Sequence, residues 1–232
     1  MVTKRFKEIE KQLKDQEEKV WVLPEAVAFL QKCPKVKFDQ SIEISLKLGI
    51  DSKKAEQQVR GSVSLPHGTG KDLRVVVFAK GEKIKEALAA GAIEAGAEEL
   101  LEKVKKGFLD FDVVVAIPEM MREVGKLGKV LGPKGLMPTP KAGTVTNEVA
   151  KTVTELKAGR VEYRVNKSNL INNMVGKLSF KKEDLAANIR TFMTAISKAR
   201  PSSAKGIFLQ SMYLSSTMGP GLKINIQSCL TA

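Results

Sequence analysis

The sequence predicts a protein of mixed α/β and α+β class: an α+β two-layer domain interrupted by an inserted three-layer, Rossmann-like α/β domain. Three observations carry that prediction. The first and last thirds of the 232-residue chain hold strands that alternate apolar and polar residues, the pattern of sheets with one wet face. The middle third holds continuous Val-rich runs, Leu73–Ala79 and Asp112–Ile117, separated by helical segments, as in a parallel sheet buried on both faces. Between these styles lie glycine breakers, Gly68 and Gly70 on one side and Gly159 on the other. The economical organisation is one discontinuous α+β domain, residues 1–69 and 160–232, with residues 70–159 inserted as an α/β domain. Gly68, Gly70 and Gly159 then mark a two-strand connection suited to a hinge.

Taken in order, residues 4–19 read as a charged helical lead-in. Pro24 opens a helix with Ala26, Val27, Leu30 and Cys33 on one face. Val36 to Leu48 alternates: Ile42, Ile44, Leu46 and Leu48 point one way, Ser41, Glu43, Ser45 and Lys47 the other. Lys37-Phe38 opens that strand, a position where a Phe ordinarily joins the core. A short strand is expected at Arg60–Leu65, before the breakers Pro66 to Gly70. In the middle third, helices are expected at Glu82–Ala90, Glu98–Lys106, Pro118–Val124 and Glu148–Leu156. Arg160–Val165 and Met174–Phe180 are strand-like. A well-marked amphipathic helix covers Glu183–Ala199, stopped by Pro201, and two strands follow at Ile207–Ser215 and Leu222–Gln227.

The charge is pointed. Lys and Arg number 39 against 26 Asp and Glu, a net +13 with a pI near 9.7, which calls for an anionic partner. Residues 160–232 carry 11 basic against three acidic residues, +8; residues 1–69 add +3 and residues 70–159 only +2. The discontinuous domain therefore holds most of the excess. The 43% hydrophobic content excludes wholesale disorder, and 5% aromatics argues against stacking along single strands. Two cysteines, Cys33 and Cys229, argue against a disulfide scaffold and suit a reducing cytoplasm. Met1 to Gln16 mixes Lys, Arg and Glu without an apolar core and is not expected to act as a secretory signal, and no run approaches the ~18 apolar residues a spanning helix needs.

Enzymatic readings fail on motifs. Lys80-Gly81-Glu82 lacks the glycine pattern of dinucleotide sites, and Gly68-Thr69-Gly70-Lys71-Asp72 has Leu65 and Asp72 where a P-loop needs Gly and Ser or Thr. His67 is the only histidine and sits in a turn context. No cluster of metal ligands and no cofactor motif is encoded. A nucleotide-dependent α/β enzyme is thus the alternative function, disfavoured for want of a phosphate-binding motif; a basic DNA-binding protein is a third. The rigid Gly132–Gly143 segment, with three prolines, reads as a connector or as a loop offering Lys134 and Lys141 to a phosphate backbone. Ser215-Ser216-Thr217-Met218-Gly219-Pro220-Gly221 admits two readings. Pro220-Gly221 suits the centre of a type II turn, yet the preceding hydroxyls and backbone N–H groups suit phosphates and ribose 2′-OH groups.

Several ordered motifs, running almost from end to end, resemble the family of the ribosomal stalk protein L-one, of bacterial type. They are Lys37-Phe38-Asp39-Gln40-Ser41-Ile42-Glu43, Leu48-Gly49-Ile50-Asp51, the run Gln57 to Lys71 around Arg60-Gly61-Ser62-Val63-Ser64, and Leu131-Gly132-Pro133-Lys134-Gly135-Leu136-Met137-Pro138. Pro140-Lys141-Ala142-Gly143-Thr144-Val145 and Ser216-Thr217-Met218-Gly219-Pro220-Gly221 complete the set. The resemblance implies two domains joined by a hinge, binding to large-subunit ribosomal RNA at the mobile stalk near the tRNA exit site, and assistance in releasing deacylated tRNA. It further implies repression of translation through a similar structure in the protein's own operon messenger RNA. It implies a monomer when free, located on the cytoplasmic large ribosomal subunit, with no cofactor and no membrane partner. Carried over residue by residue, the RNA contacts fall on Lys37, Phe38, Ser41, Glu43, Lys47, Lys167, Lys177, Ser211, Ser215, Thr217, Met218 and Gly219, with secondary contacts at Lys134 and Lys141. One stretch departs from the family: Ser168 to Val175 lacks the usual Ile-His and Pro, so contacts made there are either remade by Asn172 or Asn173 or absent.

Overall fold

The computed structural model describes residues 4–14, 19–34, 36–51 and 54–230. The charged lead-in is helical over Lys4–Lys14 (α1); residues 15–18, expected to continue it, lie outside the described residues, and Lys19 is no longer helical. Leu23–Lys32 (α2) has its proline at the start of the first turn, where the missing N–H is harmless, and buries Leu23, Ala26, Val27 and Leu30. Strands Ser41–Leu48 (β1) and Arg60–Ser64 (β2) follow.

The middle of the chain runs Val75–Phe78 (β3), Glu82–Ala89 (α3), Glu94–Gly96 (β4), Glu98–Lys105 (α4), Val113–Ala116 (β5), two short helices Met121–Val124 (α5) and Gly128–Leu131 (α6), and Val149–Ala158 (α7). Then come Arg160–Arg164 (β6), Leu170–Lys177 (β7), Lys182–Lys198 (α8), Leu209–Ser216 (β8), Gly221–Ile224 (β9) and Gln227–Leu230 (α9). Contacts divide the chain into two compact units, Met1–Gly70 with Tyr163–Ala232, and Lys71–Glu162. No helix among the described residues is long and apolar enough to cross a membrane.

In the first unit, an antiparallel sheet has the strand order β7-β1-β8-β9. Its inner face carries Ile42, Ile44, Leu46, Leu48, Ile171, Val175, Met212, Leu214, Leu222 and Ile224, all buried. Helices α2 and α8 pack together and against these strands. Helix α8 buries Leu185, Ile189, Phe192 and Ile196 as its 3.6-residue period requires, and Tyr163 meets Phe192 edge-on at 6.0 Å. Asn188 on α8 is fully buried yet satisfied. Its amide nitrogen donates to the carbonyls of Val175 (2.8 Å) and Gly68 (2.9 Å), and its oxygen accepts from the His67 N–H at 3.1 Å. His67 has Nδ1 at 3.6 Å from Asp184, so the one histidine is a structural turn residue. The thiols of Cys33 and Cys229 are free, and burial pushes both above the ordinary thiol range.

In the second unit β3 pairs in parallel with β4 on one side and β5 on the other, and Val75–Phe78 is buried at every position. Asp112, just before β5, receives Lys71 Nζ at 2.8 Å and the Arg74 backbone N–H and Nε at 3.2 and 3.1 Å. The Lys71 hydrogen bond foremost, with Arg74 beside it, holds the Asp112 carboxyl down at about 2.

Several expectations need correction. The strand expected from Val36 begins only at Ser41; Lys37 and Phe38 lie in a bend, and Phe38 is 54% exposed rather than in the core. Strand β7 starts at Leu170, four residues before the expected Met174, because pairing with β1 recruits Asn172 and Asn173 despite their low strand propensity. The last hairpin turns at Thr217-Met218, closed by the Gly219 N–H on the Ser216 carbonyl at 2.9 Å; Gly221 already belongs to β9, so Pro220-Gly221 is not the turn centre. β4, α6 and α9 carry too few periodic residues to have been foreseen.

Candidate nucleic-acid interface

The outer face of the β7-β1-β8-β9 sheet is where the sequence-predicted residues meet. Alternation along β1 turns Ser41, Glu43, Ser45 and Lys47 away from the helices. Register then fixes their neighbours. Lys47 lies between Leu170 and Ser211, Ser45 between Asn172 and Tyr213, Glu43 between Met174 and Ser215, and Ser41 beside Lys177. Tyr213 in turn faces Lys223 of β9, and Ser215 faces Gly221. The result is a row of hydroxyls crossed by Lys47, Lys177 and Lys223, with one carboxylate, Glu43, near its middle. From Ser41 to Lys47 the face extends about 20 Å at ~3.4 Å per residue.

At one end of this face sits the Thr217–Gly219 turn, fastened to the start of β1. The Ser41 N–H donates to Thr217 Oγ1 at 3.0 Å, Thr217 Oγ1 donates to the Ser41 carbonyl at 3.3 Å, and the Thr217 N–H reaches the same carbonyl at 3.0 Å. The Met218 N–H donates to Oε1 of the buried Gln40 at 3.0 Å. With the Gly219 N–H on Ser216, all three backbone N–H groups of the turn have protein acceptors. A phosphate, which only accepts, therefore finds no amide here. The turn presents instead the Met218 side chain, 51% exposed. Gly219 leaves room for the Ser216 hydroxyl: a Cβ there would force that hydroxyl to move. Lys177 Nζ donates to Ser41 Oγ at 3.2 Å, which brings its charge to the same corner.

The twelve principal residues thus fall into two groups. Lys37, Phe38, Ser41, Lys177, Thr217, Met218 and Gly219 cluster at the start of β1, with Glu43 and Ser215 next along the face. Lys47 and Ser211 lie at the far end, and exposed Lys167 stands in the Asn166–Asn169 turn that leads into β7 there. Lys134 is exposed in the second unit, and the Lys141 side chain lies outside the described residues. Sequence reasoning passed over Tyr213 and Lys223, whose signal was the alternation of β8 and β9. It also passed over Arg5, whose guanidinium donates to the Met218 carbonyl and to the Pro34 carbonyl at 3.3 Å; a charged helix 213 residues away in sequence gives no sign of that contact. Among the described residues no group of His, Cys, Asp and Glu is placed to hold a metal ion.

Residues 30–220 match the ribosomal protein L1p/L10e family. The chain belongs to that family. It is 59% identical over 225 residues to the large ribosomal subunit protein uL1 of Protochlamydia amoebophila, covering 97% of this chain and 94% of that protein. It is 53% and 51% identical, over the full length of both chains, to the uL1 proteins of Chlamydia abortus and Chlamydia pneumoniae. Membership in the L1p/L10e family makes the chain a structural ribosomal protein of the large subunit rather than an enzyme, and locates it with the cytoplasmic ribosome. The outer sheet face of this family member is then a surface of lysines and hydroxyls in a protein whose assembly is built on RNA.

Proposed function

We propose that the chain binds large-subunit ribosomal RNA through the outer face of the β7-β1-β8-β9 sheet, at the mobile stalk near the tRNA exit site. The observation that carries this reading is the arrangement of Lys47, Lys177 and Lys223 around rows of Ser and Asn side chains, ending at the pinned Thr217–Gly219 turn. Lysines supply sequence-independent attraction to phosphates. Hydroxyls and the Glu43 carboxylate suit ribose 2′-OH groups, which donate as well as accept. Glu43 repels phosphate, so it marks a place where a sugar or base edge lies. Phe38 and Tyr213, two isolated exposed aromatics, offer faces for single bases rather than a stacking ladder.

On this reading the protein assists release of deacylated tRNA, and the same face binds a similar fold in its own messenger RNA, repressing its synthesis. We read residues 70–159 as a three-layer, Rossmann-like insertion. The hinge falls at Gly68, Gly70 and Gly159, whose φ values of 65°, 70° and 111° suit glycine. Lys134 and Lys141 of that insertion add weaker RNA contacts. Footprinting of the protein on large-subunit ribosomal RNA is the direct test: protection of one compact stalk structure, lost on duplex-DNA competition only at large excess, is expected. Protection scattered over the RNA would remove the proposal. The hinge is tested separately by interdomain distance distributions in the free protein, where a single narrow distribution would count against it.

A further inference from the structure

We propose that the polar cleft at the C-terminal end of β1 is a second, phosphate-binding site, which takes the backbone of an RNA strand as it leaves the sheet face. The inference rests on the RNA-binding reading above and adds a contact to it. The cleft has a volume of about 740 Å³ and is lined by Lys47, Lys54 and Lys205 with a single carboxylate, Asp51. Its net charge of about +2 suits diester phosphates carrying one charge each better than a compact polyphosphate. Lys47 belongs both to the sheet face and to the cleft wall, so a strand lying along β1 runs into the cleft without a break.

The site is built, not merely an accumulation of surface lysines. Gln57 ties its two rims together: its Oε1 accepts from the Asp51 N–H at 2.7 Å and its Nε2 donates to the Ser203 carbonyl at 3.2 Å. Gly49 forms part of the lining, with its N–H on the Phe208 carbonyl at 2.7 Å; a Cβ there would strike the Ile207 carbonyl, so only glycine allows this close approach of the two rim segments. Ser203, also in the lining, has its hydroxyl oxygen buried without a hydrogen-bond partner among the described residues. A buried, unpaired hydroxyl costs stability; rotation about the Ser203 Cα–Cβ bond toward the cleft gives it a phosphate oxygen as acceptor. Ile207, 78% exposed on the rim, gives a sugar an apolar surface.

The test is equilibrium binding of the full chain to large-subunit ribosomal RNA over a series of chloride concentrations. Lys54→Ala with Lys205→Ala leaves the sheet-face lysines intact. It is expected to lower the slope of log K against log salt by ~0.7–0.9 for each phosphate lost, with unchanged melting temperature. The paired substitution Lys85→Ala with Lys106→Ala in the second unit is expected to leave the slope unaltered. Ser203→Ala gives an opposed pair of signs: weaker RNA binding with equal or higher thermal stability, because an unpaired hydroxyl is removed. Overturning results are an unchanged slope in the Lys54/Lys205 variant, an equal drop in the Lys85/Lys106 control, or inorganic phosphate perturbing the Gly49 and Ser203 amides while the RNA slope is unaffected by either pair. Failure of the unsubstituted protein to bind the RNA would instead remove the function on which the site depends.

Discussion

Thr217 stands at one end of the proposed interface with its hydroxyl facing the protein, and the structure lets the two roles be separated. Thr217→Val keeps the side-chain shape and removes two hydrogen bonds to Ser41, one of 3.0 Å and one of 3.3 Å, while the backbone bond from the Thr217 N–H to the Ser41 carbonyl stays. The Ser41 N–H is solvent-accessible at this corner, so water replaces much of what is lost. The net cost is about 1 kcal/mol, which lowers the melting temperature by about 2–5 °C for a domain of roughly 100–200 residues. If the hydroxyl acts only by holding the turn in shape, RNA affinity falls by no more than about fivefold, the population change that 1 kcal/mol supports. Thr217→Ser, which keeps the hydroxyl, restores both properties. Thermal unfolding and filter binding at one fixed salt concentration measure the pair. A hundredfold loss of affinity with an unchanged melting temperature would refute this reasoning and make the hydroxyl a direct RNA contact. Full affinity alongside a lowered melting temperature would show that the shape of the turn does not matter to RNA.

Met218→Asp is expected to weaken RNA binding strongly while leaving thermal stability nearly unchanged, because the side chain is half exposed; equal loss of both in paired unfolding and binding assays would make the turn purely structural. Replacing Lys47, Lys177 and Lys223 together by Gln is expected to reduce the log-salt slope by about 2–3, and an unaltered slope in salt titrations would take the outer sheet face out of the interface. Asp112 predicts an acid-sensitive second unit. Its folded pKa, about 2, lies below the ordinary value of 3.8, so its contribution is present above that ordinary value and disappears as pH falls toward 2. Screened by solvent, that contribution is about 1–2 kcal/mol; Asp112→Asn should remove it, seen as a flatter stability curve between pH 4 and about 2 in denaturant titrations, and an unchanged curve would show that the Lys71–Asp112–Arg74 cluster is energetically neutral.

Much of the fold was legible because a burial requirement wrote it into the sequence. β1 alternates because one of its faces is buried and the other wet, Val75–Phe78 is continuous because both of its faces are buried, and α8 repeats its apolar residues at helical spacing. The missed pieces are those that a partner imposes. Glu94-Ala95-Gly96 has no strand pattern and becomes one by lying beside Val76–Phe78. Leu170–Asn173 joins the sheet through β1, and the final turn settles on Thr217-Met218 because Gln40 and Ser41, far away in sequence, hold it there. The candidate site was legible as motifs and a family resemblance, and the wet face of β1 as a pattern. Its neighbours across the sheet, Tyr213 and Lys223, follow only from register, and Arg5 only from tertiary packing. Phe38 misleads because an aromatic next to an alternating strand reads as core, whereas the strand begins three residues later.

The position of β1 also sets a timetable for synthesis. Both of its hydrogen-bonded neighbours, β7 and β8, lie beyond residue 169, so the central strand emerges from its own ribosome long before either partner exists. Lys71–Glu162, whose parallel sheet is complete within a contiguous segment, can close in the interval. Until then the nascent chain carries an unpaired strand with four buried-face aliphatic residues. Glu43 and Lys47, which the finished protein turns toward its ligand, are in that interval the charges that discourage the strand from pairing with another chain.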